Sequence, residues 1–129
     1  MQHEAYEQEL LFQWAELQAH KYPSLRMMYH IPNGGSRNKL EAYNLKKQGV
    51  KAGVPDICLP YPCGGYHSLY IELKYGKNKP TPEQTAWLTA LSALGHKTAV
   101  CYGWESASKV IINYLKGDKK ESKKNEYSY

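Results

Sequence analysis

Two carboxylates and a lysine stand at a spacing that suits metal-assisted phosphoryl chemistry. Asp56 follows Pro55, and fifteen residues separate it from Glu72, which precedes Leu73 and Lys74. Hydrolysis of a phosphodiester needs an activated water, neutralised phosphate charge and a stabilised leaving oxygen. A hard divalent ion held by carboxylates can supply all three, and Mg²⁺ keeps positions open for water and phosphate oxygens. Residues two apart on an extended strand share a face, so Glu72 and Lys74 should emerge together. The Lys74 ammonium could then orient the attacking water, stabilise phosphate charge, or serve as a base if it gives up its proton readily. The residues leave these roles open. The plain alternative makes Glu72 and Lys74 a solvated strand face and Asp56 a turn residue.

These side chains meet only if the surrounding elements bring them together. Glu4 to about His20 reads as an amphipathic helix with Leu10, Leu11, Trp14 and Leu17 on one side. Arg26 to Ile31 reads as a first strand, and Asn33-Gly34-Gly35-Ser36 as a loop. A helix is expected from Lys39 to Gln48, stopped by Gly49. Val54 to Leu59 reads as a second strand, and Pro60 to His67 as a Gly-containing connection. A third strand from Ser68 to Lys74 alternates cleanly, with Leu69, Ile71 and Leu73 opposed to Tyr70, Glu72 and Lys74. Thr81-Pro82-Glu83-Gln84 is a helix start with a Thr cap, and Trp87, Leu88, Leu91 and Leu94 continue the apolar pattern to Gly95. A fourth strand at Thr98–Tyr102 and a last helix at Ser106–Leu115 complete the order, the latter burying Ala107, Val110, Ile111 and Tyr114. A hairpin followed by a strand–helix–strand crossover implies an α/β fold with a mixed four-stranded sheet flanked by helices. An antiparallel pairing of the second and third strands would bring Asp56 and Glu72 together at one edge.

The chain has 129 residues, enough for one domain with a real core, here 1–116, followed by a charged stretch at 117–129 expected to be disordered. No apolar run reaches the roughly 18–20 residues of a membrane span, and the first residues lack the pattern of a secretory signal. Three cysteines form a sparse, odd set that suits a reducing, cytoplasmic setting. Cys58, Cys63 and His67 lack the paired spacing of a zinc knuckle. Of the +5 formal charge, the placement matters most: Arg37 to Lys79 holds eight basic residues and three acids, two of them Asp56 and Glu72. A basic surface around a few acids suits a polyanion held beside a cation site.

An ordered set of motifs makes the reading specific. Asn33-Gly34-Gly35, Gly49-Val50-Lys51-Ala52-Gly53-Val54-Pro55-Asp56, Ile71-Glu72-Leu73-Lys74 and Pro82-Glu83-Gln84 together resemble the VRR-NUC branch of the PD-(D/E)xK nucleases, from about Glu4 to Leu115. The compact form is similar to the stand-alone phage and bacterial members. The resemblance implies a restriction-endonuclease-like core. It implies that Asp56, Glu72 and the Leu73 carbonyl bind Mg²⁺ or Mn²⁺ and that Lys74 is catalytic. It also implies a metal-proximal glutamate on the N-terminal helix. Glu4 fits by its distance from Gln8 and Trp14, while Glu7, one turn on, shares its face. Gln84 matches a glutamine beside the active site in related nucleases, yet it is also the capping-box residue. Asn33, Gly34, Gly35 and Arg37 match a loop expected to approach the DNA backbone, where glycines permit close contact and N–H groups meet phosphates. Lys51 and Lys77, with Lys46, Lys47 and Lys79, are phosphate-contact candidates.

The resulting expectation is an endonuclease cutting structured DNA in the cytoplasm of a bacterial or phage-infected cell, with Holliday junctions as substrate and a homodimer placing two centres symmetrically. A non-catalytic DNA-binding module that keeps the fold is the contrasting reading. Flaps, nicks and linear duplex are the alternative substrates.

Overall fold

The third expected strand is the centre of the molecule. The computed structural model describes residues 2–32 and 38–117. Its elements are α1 (Gln2–Gln18), a 3₁₀ turn (Pro23–Met27), β1 (Tyr29–His30), α2 (Lys39–Lys47), β2 (Ile57–Leu59), β3 (Leu69–Lys74), α3 (Pro82–Ala93), β4 (Lys97–Tyr102) and α4 (Trp104–Leu115). The sheet runs β1-β2-β3-β4. The β1–β2 and β2–β3 pairs are antiparallel, and β4 lies parallel to β3 after the α3 crossover. This is the mixed α/β sheet that the element order implies.

Register fixes which side chains are buried. Ile57 lies beside Ile71, Leu59 beside Leu69, and Leu73 beside Cys101. These residues pack with Leu11 and Ala15 of α1, Leu25 and Met28 of the following turn, and Ala107, Ile111 and Tyr114 of α4 in one cluster. The alternate residues Cys58, Tyr70, Glu72 and Lys74 therefore take the opposite face. A slip of one residue would exchange core and chemistry, so the hydrophobic face of β3 also aims Glu72 and Lys74.

Several expectations need correction. The stretch read as a strand from Arg26 is mostly a 3₁₀ turn, with only Tyr29–His30 extended. Pro23 starts that turn, and Leu25 and Met28, three apart, both bury against the core. Leu17 of α1 is 72% exposed, because the core stripe is Leu11, Ala15 and Ala19 at i, i+4, i+8. Leu94 is 67% exposed, beyond the last residue of α3 and one turn past buried Leu91. Val110 is only partly buried, while Ala107, Ile111 and Tyr114 are buried as read. β2 is short, and Asp56 lies just before it rather than inside it. The Asn33–Arg37 loop and the residues from 118 onward lie outside the described residues.

Capping and turn chemistry hold the approach to Asp56. Thr81 and Gln84 form a reciprocal capping box at the start of α3, with Pro82 in the first turn. Gly53 has φ +90°, and a Cβ there would lie 2.7 Å from the main-chain carbon of Glu83, so the loop entering Asp56 rests directly on the start of α3. Gly49 has a similar φ of +104° but open space around it. Gly49→Ala should therefore cost about 1 kcal/mol in backbone strain alone, and Gly53→Ala distinctly more, read as a larger drop in denaturant midpoint.

Candidate active site

The end of the sheet where β2 begins and β3 finishes gathers the acidic and basic groups. Extending the antiparallel register by one residue beyond the Ile57–Ile71 pair puts Asp56 opposite Glu72. Asp56 is fixed from two sides: its carbonyl accepts the Ile31 N–H at 2.7 Å, and its Oδ2 accepts the Leu73 N–H at 2.7 Å. A strand residue points its N–H and C=O to the same side. The Leu73 carbonyl thus leaves β3 on the Asp56 side, where β2 has not yet begun. Lys74 directs its carbonyl the other way, accepting the Gly103 N–H at 3.1 Å.

The polar face of β3 is not solvated. Glu72 is 2% exposed and Lys74 7%, which corrects the plain alternative of a wet strand face. Lys74 Nζ lies 3.6 Å from Glu72 Oε2. Glu72 Oε1 is buried and no N–H or ammonium donor reaches it, while between the Glu72 and Asp56 carboxyls a hydrogen bond forms only when one of them carries a proton. Burial first, then the nearby Asp56 carboxylate, push Glu72 up to about 8, with the Lys74 ammonium opposing them. Burial also raises Asp56, while the Leu73 N–H works against it and the Glu4 carboxylate adds to it. Two adjoining carboxyls of this kind favour sharing a proton over both ionising.

The glutamates of α1 part company here. Glu4 is the one whose charge acts on Asp56, and Asn78 Nδ2 reaches its Oε2 at 3.4 Å. Glu7 instead accepts the Trp104 N–H at the start of α4, 2.8 Å away. Gln84 commits its Oε1 to the Thr81 N–H, which is the capping role. Lys51 sits exposed in the loop entering Asp56, and Lys77 in the loop leaving Lys74. Lys46, Lys47 and Lys79 are exposed as well, with Lys47 Nζ 5.0 Å from the Tyr43 ring centre. Asn33, Gly34, Gly35 and Arg37 lie outside the described residues.

Among the described residues no three His, Cys, Asp or Glu side chains gather as a ready-made cage. Cys58 is buried on the sheet and Cys63 directs its thiol to the Leu115 carbonyl, 3.8 Å away. A site of two carboxylates and a carbonyl still suits Mg²⁺, which is commonly bound through one or two carboxylates plus water and substrate phosphate. The orphaned Glu72 oxygen is the donor that such an ion would satisfy.

Sequence reasoning missed His30, whose Nδ1 lies 2.9 Å from the Asp56 carbonyl. It also missed Asn78, which touches Glu4 and accepts the Tyr102 hydroxyl at 2.7 Å. Both act through contacts distant in sequence, and no local pattern marks them.

Because Glu72 is raised above its ordinary value of 4.5, the folded metal-free protein holds a proton that the unfolded chain releases. Stability without metal should therefore fall as pH rises from about 4.5 to about 8. Glu72→Gln should flatten that fall and leave the variant more stable than wild type at pH 8, by roughly one to several kcal/mol. Urea unfolding in EDTA across this range is the check.

The sequence model of the VRR-NUC domain matches residues 2–105. A solved structure described as a VRR_NUC domain protein is 32% identical, covers 89% of each chain and superposes with a TM-score of 0.77. No curated protein matches in sequence.

Proposed function

This chain belongs to the VRR-NUC family and is a nuclease-type, DNA-binding domain, and we propose that it is a Mg²⁺- or Mn²⁺-dependent DNA endonuclease centred on Asp56, Glu72 and Lys74. The observation that carries the proposal is the buried Glu72 oxygen with no partner, set against Asp56 and beside Lys74. Such a pair is unfavourable alone and becomes favourable around a divalent cation. A non-catalytic binding surface has no use for it.

In this reading Asp56, Glu72 and the Leu73 carbonyl hold the ion, with Glu4 adding negative charge nearby. The ion supplies an acidified water and neutralises phosphate charge. The chain's own residues do the rest. The Leu73 N–H orients Asp56, and the His30 contact steadies the main chain behind it. Glu72 holds the Lys74 ammonium at the site, where it can orient the attacking water or stabilise the phosphate. The water oxygen bonds to phosphorus and gives up a proton to solvent, the bond to the bridging oxygen breaks, and that oxygen leaves after taking a proton from solvent. Lys51 and Lys77 would meet phosphates, as would Asn33, Gly34, Gly35 and Arg37 by the resemblance of their motif.

Branched DNA, and a four-way junction above all, is the proposed substrate, cut by a homodimer. Support for pairing comes from α3. Gln84 to Gly95 contains no charged residue, yet Ala86, Thr89, Ala90, Ser92, Ala93 and Leu94 are exposed. A groove of about 430 Å³ lined by Leu88, Thr89, Ser92, Ala93 and Thr98 runs beside the edge strand β4. A two-fold pair would bury this surface and present two centres to opposed strands.

Labelled four-way junction and matched linear duplex, incubated with Mg²⁺, Mn²⁺ or EDTA, test the proposal. Paired, metal-dependent cuts in the junction are expected, with Lys74→Ala lowering the rate by roughly 10²–10³. Binding without cutting under every metal condition would instead support a non-catalytic module. Fixed-sequence cutting of the linear duplex would replace junctions as the substrate.

A further inference from the structure

Helix α1 carries Glu4 to the site on a segment with no hydrophobic anchor. Among its described side chains the first buried one is Leu11, and His3, Ala5 and Tyr6 are exposed. The first two turns are therefore held by polar and ring contacts. His3 stacks on Tyr75 with centroids 4.5 Å apart, Asn78 reaches Glu4 at the long distance of 3.4 Å, and Glu7 accepts the Trp104 N–H at 2.8 Å. The last is the shorter of these two hydrogen bonds and the better shielded, being partly buried where the Asn78 contact is exposed.

Helix α4 needs that contact too. Its N-cap is Gly103, at φ 92°, which has no side chain to satisfy the first N–H groups. Glu7 caps α4 from another helix, with its negative charge at the positive end of the α4 dipole. The same Gly103 donates its N–H to the Lys74 carbonyl. A continuous path thus runs from the catalytic strand through Gly103 and Trp104 to Glu7, and one helical turn back along the same face to Glu4.

We propose that Glu7 is a positioning residue: by capping α4 in trans it fixes the unanchored start of α1 and thereby holds Glu4 beside Asp56. The inference rests on the metal-site reading above. Without Glu7 the first two turns of α1 lose their partly buried tie and keep the exposed contacts of His3 and Glu4 against fraying, so the Glu4 charge is held less firmly at the site. Glutamine keeps the accepting oxygen, so Glu7→Gln retains most of the effect, whereas Glu7→Ala does not.

Mn²⁺ binding to the full chain, measured by calorimetry for wild type, Glu7→Ala, Glu7→Gln, Glu4→Ala and the Glu4→Ala/Glu7→Ala double variant, tests this, with hydrogen exchange of residues 4–8 alongside. Glu7→Ala should weaken binding by roughly tenfold and speed exchange in the first turns of α1. Glu7→Gln should stay near wild type, and Glu7→Ala should add nothing once Glu4 is gone. An unchanged metal affinity in Glu7→Ala, or an equal loss in the Glu4→Ala background, overturns the inference alone. A wild type that binds no Mn²⁺ overturns the metal-site reading and this inference with it.

Discussion

Two carboxylates brought face to face at the end of a sheet lose water and repel each other, and much of this molecule is arranged to hold them there. Asp56 is tied through its carbonyl to Ile31 and through its carboxylate to Leu73. Glu72 cannot turn away, because the neighbours Ile71 and Leu73 are locked into the core. The cost appears as the raised Glu72 and Asp56 carboxyls and the unpartnered Glu72 oxygen. One ammonium, Lys74, stands against two carboxylates here, and an uneven set of charges withdrawn from water is expensive. Their presence together is a physical reason to look for a bound cation and an anionic substrate.

The remaining elements serve that edge in two ways. β1, β2 and the loop through Gly53 set the height of Asp56, with the start of α3 beneath the loop. The ends of β3 and β4, joined through Gly103, connect the same edge to α1 and α4. Lys74 stands between these two supports, with its ammonium near Glu72 and its carbonyl on the Gly103 side. Exposed lysines stand in the loops that enter and leave this edge, Lys51 before Asp56 and Lys77 after Lys74.

The sequence made legible what local periodicity and capping encode. The alternation in Leu69–Lys74, the Thr81–Gln84 box, the Gly49 stop and the hairpin order were all readable, and they carry Asp56, Glu72 and Lys74 to one place. Leu17 and Leu94 misled because an apolar residue near the edge of a stripe looks the same in sequence whether or not a partner covers it. The stretch before Tyr29 misled because Leu25 and Met28 bury at a spacing of three, within a run too short to show its period. The burial of Glu72 and Lys74 was also hidden, since a polar strand face reads as solvated until its neighbours in space are known. Glu4 and Glu7 share a helix face and could be separated only by what each one touches, one acting on Asp56 and the other on Trp104.

The most direct test of the account is the proton count of metal binding. If Asp56 and Glu72 share a proton that a divalent ion displaces, calorimetric titration of Mn²⁺ at pH 7, repeated in buffers of different ionisation enthalpy, should show about one proton released per ion. That release should vanish in Glu72→Gln. Binding that releases no proton, or releases it equally without the Glu72 carboxyl, would contradict the claim that this buried pair is the metal site.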